Sequence, residues 1–550
     1  MNAILERELL SLLRSRKAFA IQAAVAILCG LLVLIRWPDG ARVDLAGVRS
    51  REVFILFGYG LLTAVVLLVP VFPATSIVRE RQQKTLVLLI HSPLTPLTIY
   101  LGKLVATLGF ALVLIALTAP GAAACHAMGG VSLFGEVLPL YGVLIVAAVQ
   151  FGTLGLYVSS RARSADGALR VTYGLVLLLA VFVLLPHMFL QGSGSLFGQI
   201  AEAIRWVSPI PAVMRVVGHG DVGEAANGGV HGPLLYVALA LGLSVALATA
   251  TIRRLNYRML DRTRSSGIVT DDQASGTRLV RRLLFIVDPQ RRKAEIGDST
   301  NPVLVKEFRT RQFGRLHWLL RLVAGCATVS LGLTYATTLG SVGFGAETIG
   351  GIMVLMQVAL ILLLTPGLAG GLISGEHESG GWRLLRLTPL GAGVIVRGKL
   401  ISVLATMTLI LCATLPGYLV MMRINPLMSG QITRVVICLV LAALFAIALS
   451  AAVSSLFQRS AAATATAYCL LWLVCAGPLL IWLGRDAPFG HETVSGALQF
   501  SPLAAALSAI RAPGFAAYDL TPANWWIMGT ATVVLIVILS VRVRVLLRPS

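Results

Sequence analysis

Few residues in this 550-residue chain are typed and spaced for chemistry. Its seven cysteines, Cys29, Cys125, Cys326, Cys412, Cys438, Cys469 and Cys475, lie in or beside apolar runs. They form no CxxC pair and no metal-ligand spacing, so they read as small packing residues. Asp271-Asp272 is the only acidic pair. It has no His/Glu cluster or nucleophile beside it, which argues against a membrane-embedded transferase. The stretch Gly393 to Leu400 comes close to a phosphate-binding loop, with Gly398-Lys399 at its end. It lacks the Ser/Thr after Lys that would meet magnesium, and it runs into an apolar stretch with no preceding strand. What remains is two charged loops with similar spacing: Arg79, Glu80, Arg81 and Lys84 in one half, Glu376, His377 and Glu378 in the other. Groups of this kind anchor and dock; they do not make or break bonds.

The elements that position these clusters are apolar. The chain is 57% hydrophobic and 13% charged, whereas soluble chains carry about 25% charged residues. A helix crosses the bilayer in about 20 residues. Spans are predicted near 18–36, 53–78, 99–125, 136–160, 169–191 and 233–254. Six more are predicted near 317–339, 348–373, 395–421, 432–457, 463–484 and 524–545. The run from Ala18 to Ile35 is longer than the apolar part of a signal peptide and has no cleavage site after it, so it reads as a retained span.

The net charge of +21 raises the question of nucleic acid, and the placement of the cations answers it. With the N-terminus inside, 35 of the 45 Lys and Arg fall on the inner side and 10 on the outer. Asp and Glu split almost evenly, 13 inside and 11 outside. That is the positive-inside pattern of a multi-pass protein. It places both termini in the cytoplasm and excludes nucleic acid as a partner.

The chain reads as two copies of one unit. An offset of 296 aligns Glu80 with Glu376, Pro93 with Pro389, Ile99 with Ile395, Lys103 with Lys399, and Pro120-Gly121 with Pro416-Gly417. Shifted slightly, Asn2 and Glu8 meet Asn301 and Glu307, and Ser208-Pro209 meets Ser501-Pro502. Six spans per copy, an even number, give both copies the same orientation, related by an axis along the membrane normal. The expected fold is an all-α polytopic membrane protein of about twelve transmembrane helices. It comprises two parallel six-helix halves, 1–254 and 301–550, joined by a basic cytoplasmic linker, 255–300. A cavity between the halves is the expected route.

The loops after the second and eighth spans carry the sharpest pattern. Charge at Arg79, Glu80, Arg81 and Lys84 ends the apolar run. A short helix follows, with Leu86, Leu89 and Ile90 on one face, and Ser92-Pro93 stops it. Gly102-Lys103 marks re-entry into the bilayer; in the second copy Gly398-Lys399 does so, and Trp382 and Leu385 take the apolar positions. An apolar face on such a helix needs a partner, either lipid or a groove on another protein.

Together these motifs resemble the permeases of type-2 ATP-binding-cassette exporters: Glu80 through Thr85-Leu86, then Ser/Thr-Pro-Leu, then Gly-Lys, with the Glu, Thr-Pro-Leu and Gly-Lys parts recurring in the second copy. The opening Asn301-Pro-x-Leu-x-Lys-Glu307 resembles their interfacial helix, and Ser-Pro-x-x-Ala at 208 and 501 resembles the outer segment before their last span. The resemblance implies that Glu80, Arg81, Thr85, Leu86 and Pro93, with Glu376, Trp382, Thr388 and Pro389, couple to an ATPase. It implies an outer gate at Ser208, Pro209, Ser501 and Pro502. Lys84 stands where the family has Gly, whereas Gly380 keeps it, and Arg81 corresponds to His377.

The expected function is thus a permease subunit in the cell (inner) membrane, exporting its cargo and driven by two copies of a separate cytoplasmic ATPase. This chain binds no cofactor of its own; ATP and magnesium belong to the partner, and other transporter components can join them. The rival reading is an ion-coupled secondary transporter with six-plus-six helices. It calls for a carboxylate relay within the spans, whereas Glu52, Glu136 and Glu347 fall at predicted span ends and His187 near the outer end of the fifth.

Overall fold

A computed structural model describes residues 6–10, 14, 16–35, 48–162, 164–190, 196–218, 232–255, 301–310, 324–328, 330–332, 346–485 and 489–548. The linker 255–300, apart from Leu255, lies outside these residues, as does most of the seventh predicted span, 317–339. Among the described residues the regular structure is helical, with no strand.

The first half contains α1 (Arg16–Ile35), α2 (Val48–Leu68), α3 (Val71–Gln82), α4 (Thr85–His91), α5 (Pro96–Ala116), α6 (Leu138–Arg161), α7 (Ala165–Ala180), α8 (Pro209–Val216) and α9 (Gly232–Arg254). The second contains α10 (Pro302–Thr310), α11 (Ala346–Ala369), α12 (Ser374–Glu378), α13 (Gly381–Arg386), α14 (Ala392–Ile424), α15 (Ser429–Leu456), α16 (Ser460–Leu483), α17 (Pro502–Ala509) and α18 (Thr521–Leu547). Ten helices among the described residues are long and apolar enough to cross a membrane. The expectation of about twelve is therefore met at ten positions. The first predicted span lies on α1, where the apolar helical stretch is the shorter Gln22–Leu31. The chain is an all-α polytopic membrane protein. It divides into two compact units, Met1–Thr263 with Leu480–Val494, and Arg264–Leu479 with Ser495–Ser550.

In each unit proline interrupts the span that leads to the charged loop. Pro70 sits between α2 and α3, and Pro366 lies in α11 just before that helix ends. Proline has no N–H and crowds the preceding turn, so nearby backbone groups need other partners, and a bilayer offers none. A tyrosine hydroxyl meets that need in each unit, and a serine hydroxyl contacts two N–H groups beyond the proline. Tyr173 donates to the Leu67 carbonyl and Tyr468 to the Leu363 carbonyl, both at 2.6 Å. Ser159 Oγ accepts from the N–H groups of Ile77 and Val78, and Ser454 Oγ from those of Ile373 and Ser374.

The apolar centre of the first unit gathers Phe54, Phe57, Leu61, Phe151 and Tyr236. Each unit also buries a glutamine that accepts from a tyrosine hydroxyl. The Tyr236 hydroxyl donates to Gln150 Oε1 at 3.0 Å, and the Tyr418 hydroxyl to Gln357 Oε1 at 2.8 Å. These glutamines lie on different spans of their units, so the repeat extends to the backbone breaks but not to every polar contact.

Candidate functional site

The loop helices begin alike. Lys84 precedes α4 with φ 61°, and Gly380 precedes α13 with φ 75°. Both helices end alike as well. Ser92 Oγ donates to the Leu89 carbonyl and Thr388 Oγ1 to the Leu385 carbonyl, satisfying a last-turn acceptor before Pro93 and Pro389. Both prolines, Thr85 and Thr388 are exposed.

A buried lysine anchors the start of the following span in each unit. The Lys103 side chain is 2% exposed, and its ammonium lies 3.0 Å from both Glu8 Oε1 and Glu80 Oε1. Arg7 closes the group, 2.7 Å from Glu80 and 3.0 Å from Glu8. In the second unit the Lys399 ammonium lies 2.5 Å from Glu307 and 3.0 Å from Glu376, and Lys306 lies 2.6 Å from Glu376. Each group holds two cations and two carboxylates and is neutral. Neutrality matters because burying an uncompensated charge costs several kcal/mol after relaxation.

The quartet ties three chain segments together: the short helical stretch 6–10 or α10, the end of the span before the loop, and the start of α5 or α14. Burial by itself pushes the Glu8 carboxyl up; Lys103 and Arg7 outweigh it and hold it below its ordinary value of 4.5. For Arg7 burial opposes the charge, and Glu8 and Glu80 more than offset it, so its pKa is raised. Close packing supports the same junction. A Cβ on Gly398 would meet Asn301 and Val303 at 2.9 Å, and Asn301 Oδ1 caps α10 by accepting from the Val303 N–H. Gly102 is buried in the first unit.

Several residues picked out by sequence are turned toward the protein itself. Leu86 is buried with Ile77, Tyr100, Leu156 and Leu255, and Ile90 packs against them. The apolar face expected to meet lipid or another protein is thus covered by the chain's own spans. Trp382 is buried too; its Nε1 donates to the Leu546 carbonyl at 3.2 Å, and Arg386 Nε donates to the same oxygen at 2.7 Å. Arg81 donates to the carbonyls of Ser159 and Ala162, where α6 ends. Its counterpart His377 stacks on Trp382 instead, ring centres 5.0 Å apart. The outward faces carry Val87 and Leu88 on α4, and Arg383, Leu384, Arg386 and the following Leu387 on the second loop.

Ser208 and Ser501 each do two jobs. Ser208 Oγ accepts from Ile210 N–H and donates to the Ala180 carbonyl; Ser501 Oγ accepts from Ala504 N–H and donates to the Cys475 carbonyl. Pro209 and Pro502 occupy the first helical position, where no N–H is needed. Each short helix, α8 or α17, is thereby pinned to the fifth span of its unit. Sequence reading missed the membership of Arg7, Glu8, Lys306 and Glu307 in the charge groups. The pairing of Glu8 with Glu307 across the repeat was the available signal.

Among the described residues, ten helices long and apolar enough to cross a membrane, with a charged loop built the same way in two units, define a multi-pass membrane protein. The family model of the ABC-2 family transporter proteins matches residues 2–252. That match, which covers the first half of the chain and not the second, supports an ABC-2-type permease, a membrane subunit of an ABC transporter. No curated protein matches the chain.

Proposed function

We propose that this chain supplies both membrane halves of an ATP-binding-cassette exporter and is driven by two copies of a separate ATPase docked on the cytoplasmic side. The observation that carries this reading is the neutral quartet built around a buried lysine in each unit. It links a surface loop rigidly to two other segments, so force applied to α4 or α13 reaches the stretch before the first span and the third span together. A loop that served only to connect two spans would need no such anchor. The charge clusters lie at the loop ends of the spans, where a docked motor can reach them. Both termini are then cytoplasmic, and the membrane is the cell's inner one. The helices α8 and α17, pinned through Ser208 and Ser501, form the outer gate.

The test is co-reconstitution in liposomes with a purified ATP-binding-cassette ATPase. Wild type is compared with a variant carrying Glu80→Gln and Glu376→Gln. The expected result is ATP-dependent transport by wild type and loss of transport with reduced ATPase association in the variant. Undiminished association and transport would remove these glutamates from coupling. Transport that proceeds without ATP and follows an ion gradient would overturn the reading in favour of a secondary transporter.

A further inference from the structure

The two loop helices present the same four register positions with different chemistry. The offset of 296 places Val87, Leu88, Ile90 and His91 opposite Arg383, Leu384, Arg386 and Leu387. In both units the second position is a strongly exposed leucine, Leu88 at 73% and Leu384 at 69%. The first and third positions differ. They are aliphatic in α4, Val87 exposed and Ile90 half-buried, and cationic in α13, where Arg383 and Arg386 are both exposed. Neither arginine forms an ion pair among the described residues. Arg386 spends only its Nε on the Leu546 carbonyl. Leu387 adds an apolar group at 84% exposure beside them.

This inference rests on the ATPase-docking reading above and deepens it. We infer that the two loops engage unlike parts of the ATPase groove. The α4 loop takes an apolar part through Val87 and Leu88. The second loop takes a part lined by carboxylates, through Arg383 and Arg386 around Leu384. Guanidinium groups pair with carboxylates in a fixed two-pronged geometry that an aliphatic side chain cannot reproduce. An identical groove cannot suit both loops equally, so the two docking events differ in strength and in salt dependence. The charged contact is the one weakened by salt, because screening acts on ions and hardly on apolar burial. Anionic lipid is the other chemistry that could meet two exposed arginines. The exposed leucines on either side of Arg386, Leu384 and Leu387, favour a grooved protein surface, where an apolar anchor fits between the charges.

The experiment uses the full chain in nanodiscs and purified ATP-binding-cassette ATPases of the source organism, each tested singly. Binding is measured across a salt series. Arg383→Gln with Arg386→Gln is expected to weaken binding about tenfold at low salt and to remove most of its salt dependence. Arg383→Gln alone, which touches no hydrogen bond of the fold, is expected to show the same trend to a smaller degree. Val87→Gln with Leu88→Gln is expected to weaken binding while leaving the salt dependence in place. Equal effects of the two pairs on salt dependence would overturn the asymmetry and leave docking intact. If no ATPase binds wild type, or neither pair alters binding, the docking reading falls with it. Discs of phosphatidylcholine are compared with discs that also contain phosphatidylglycerol. An arginine effect seen only in the second kind would assign these residues to lipid and overturn the proposal.

Discussion

Lys84 and Gly380 occupy the same turn of the two units and share a left-handed backbone, φ 61° and 75°. A non-glycine residue there costs roughly 1–2 kcal/mol. Glycine gives back part of that gain through the greater freedom of the unfolded chain, about 0.4–1 kcal/mol. Steric relief wins. Lys84→Gly is therefore expected to stabilise the protein by about 0.5–1 kcal/mol. Open space surrounds Gly380, so Gly380→Ala is expected to cost a similar amount through the backbone alone. Thermal unfolding in detergent, followed for both variants, checks the opposite signs.

The quartet around Lys103 predicts strong non-additivity. Lys103→Met leaves Glu8 and Glu80 with only the half-exposed Arg7 between them, and losing the buried partner of an ion pair costs about 3–5 kcal/mol. Adding Glu80→Gln to Lys103→Met removes one of the stranded charges and is expected to recover more than half of the loss. The remaining Arg7 and Glu8 then balance. A double-mutant cycle on unfolding temperature measures the recovery, and independent, additive losses would contradict the shared-cation geometry.

Much of this architecture was legible in the sequence because it depends on composition and local pattern. Apolar length marks the spans, and the offset between Glu80 and Glu376 marks the repeat. Lys84 stands opposite Gly380 in the repeat, but the positive φ they share shows only in the structure. The charge groups were not legible, since Lys103 meets Glu8 across 95 positions of sequence, and no periodicity encodes that approach. Leu86 and Trp382 show the other limit. Periodicity shows that a helix has an apolar face, but only the neighbouring spans decide whether that face is covered. Here Leu255 and the Leu546 carbonyl, at the ends of the last spans of the two units, cover it.

Acid should loosen the first unit's charge group in a definite direction. The Glu8 carboxyl in the folded protein sits below its ordinary value of 4.5. Its unfolded form therefore binds protons first as pH falls, and folded stability drops with it. The contribution is complete above about pH 5 and disappears as pH falls through the depressed folded pKa. Arg7, whose pKa is raised, stays charged throughout this window. Unfolding temperature between pH 7 and pH 3 is expected to fall more steeply for wild type than for Glu8→Gln. Parallel curves would mean that Glu8 is not held by Lys103.

The serine hydroxyls at the proline breaks should differ in worth even though both contact two backbone N–H groups. In the first unit Ile77 and Val78 lie inside the continuous helix α3, so their N–H groups also face helical carbonyls. In the second unit Ile373 and Ser374 sit where the chain leaves one helix and starts the next, and Ser454 Oγ is the acceptor for both. Removing that oxygen strands buried donors, which costs about 1–3 kcal/mol, and the bilayer supplies no water to replace it. Ser454→Ala is therefore expected to lower stability by about 1–3 kcal/mol, and Ser159→Ala by less than half of that. Hydrogen exchange at 373 and 374 should speed up in Ser454→Ala, whereas exchange at 77 and 78 in Ser159→Ala should hardly change. Equal losses would show that α3 is as open at Ile77 as its counterpart is at Ile373.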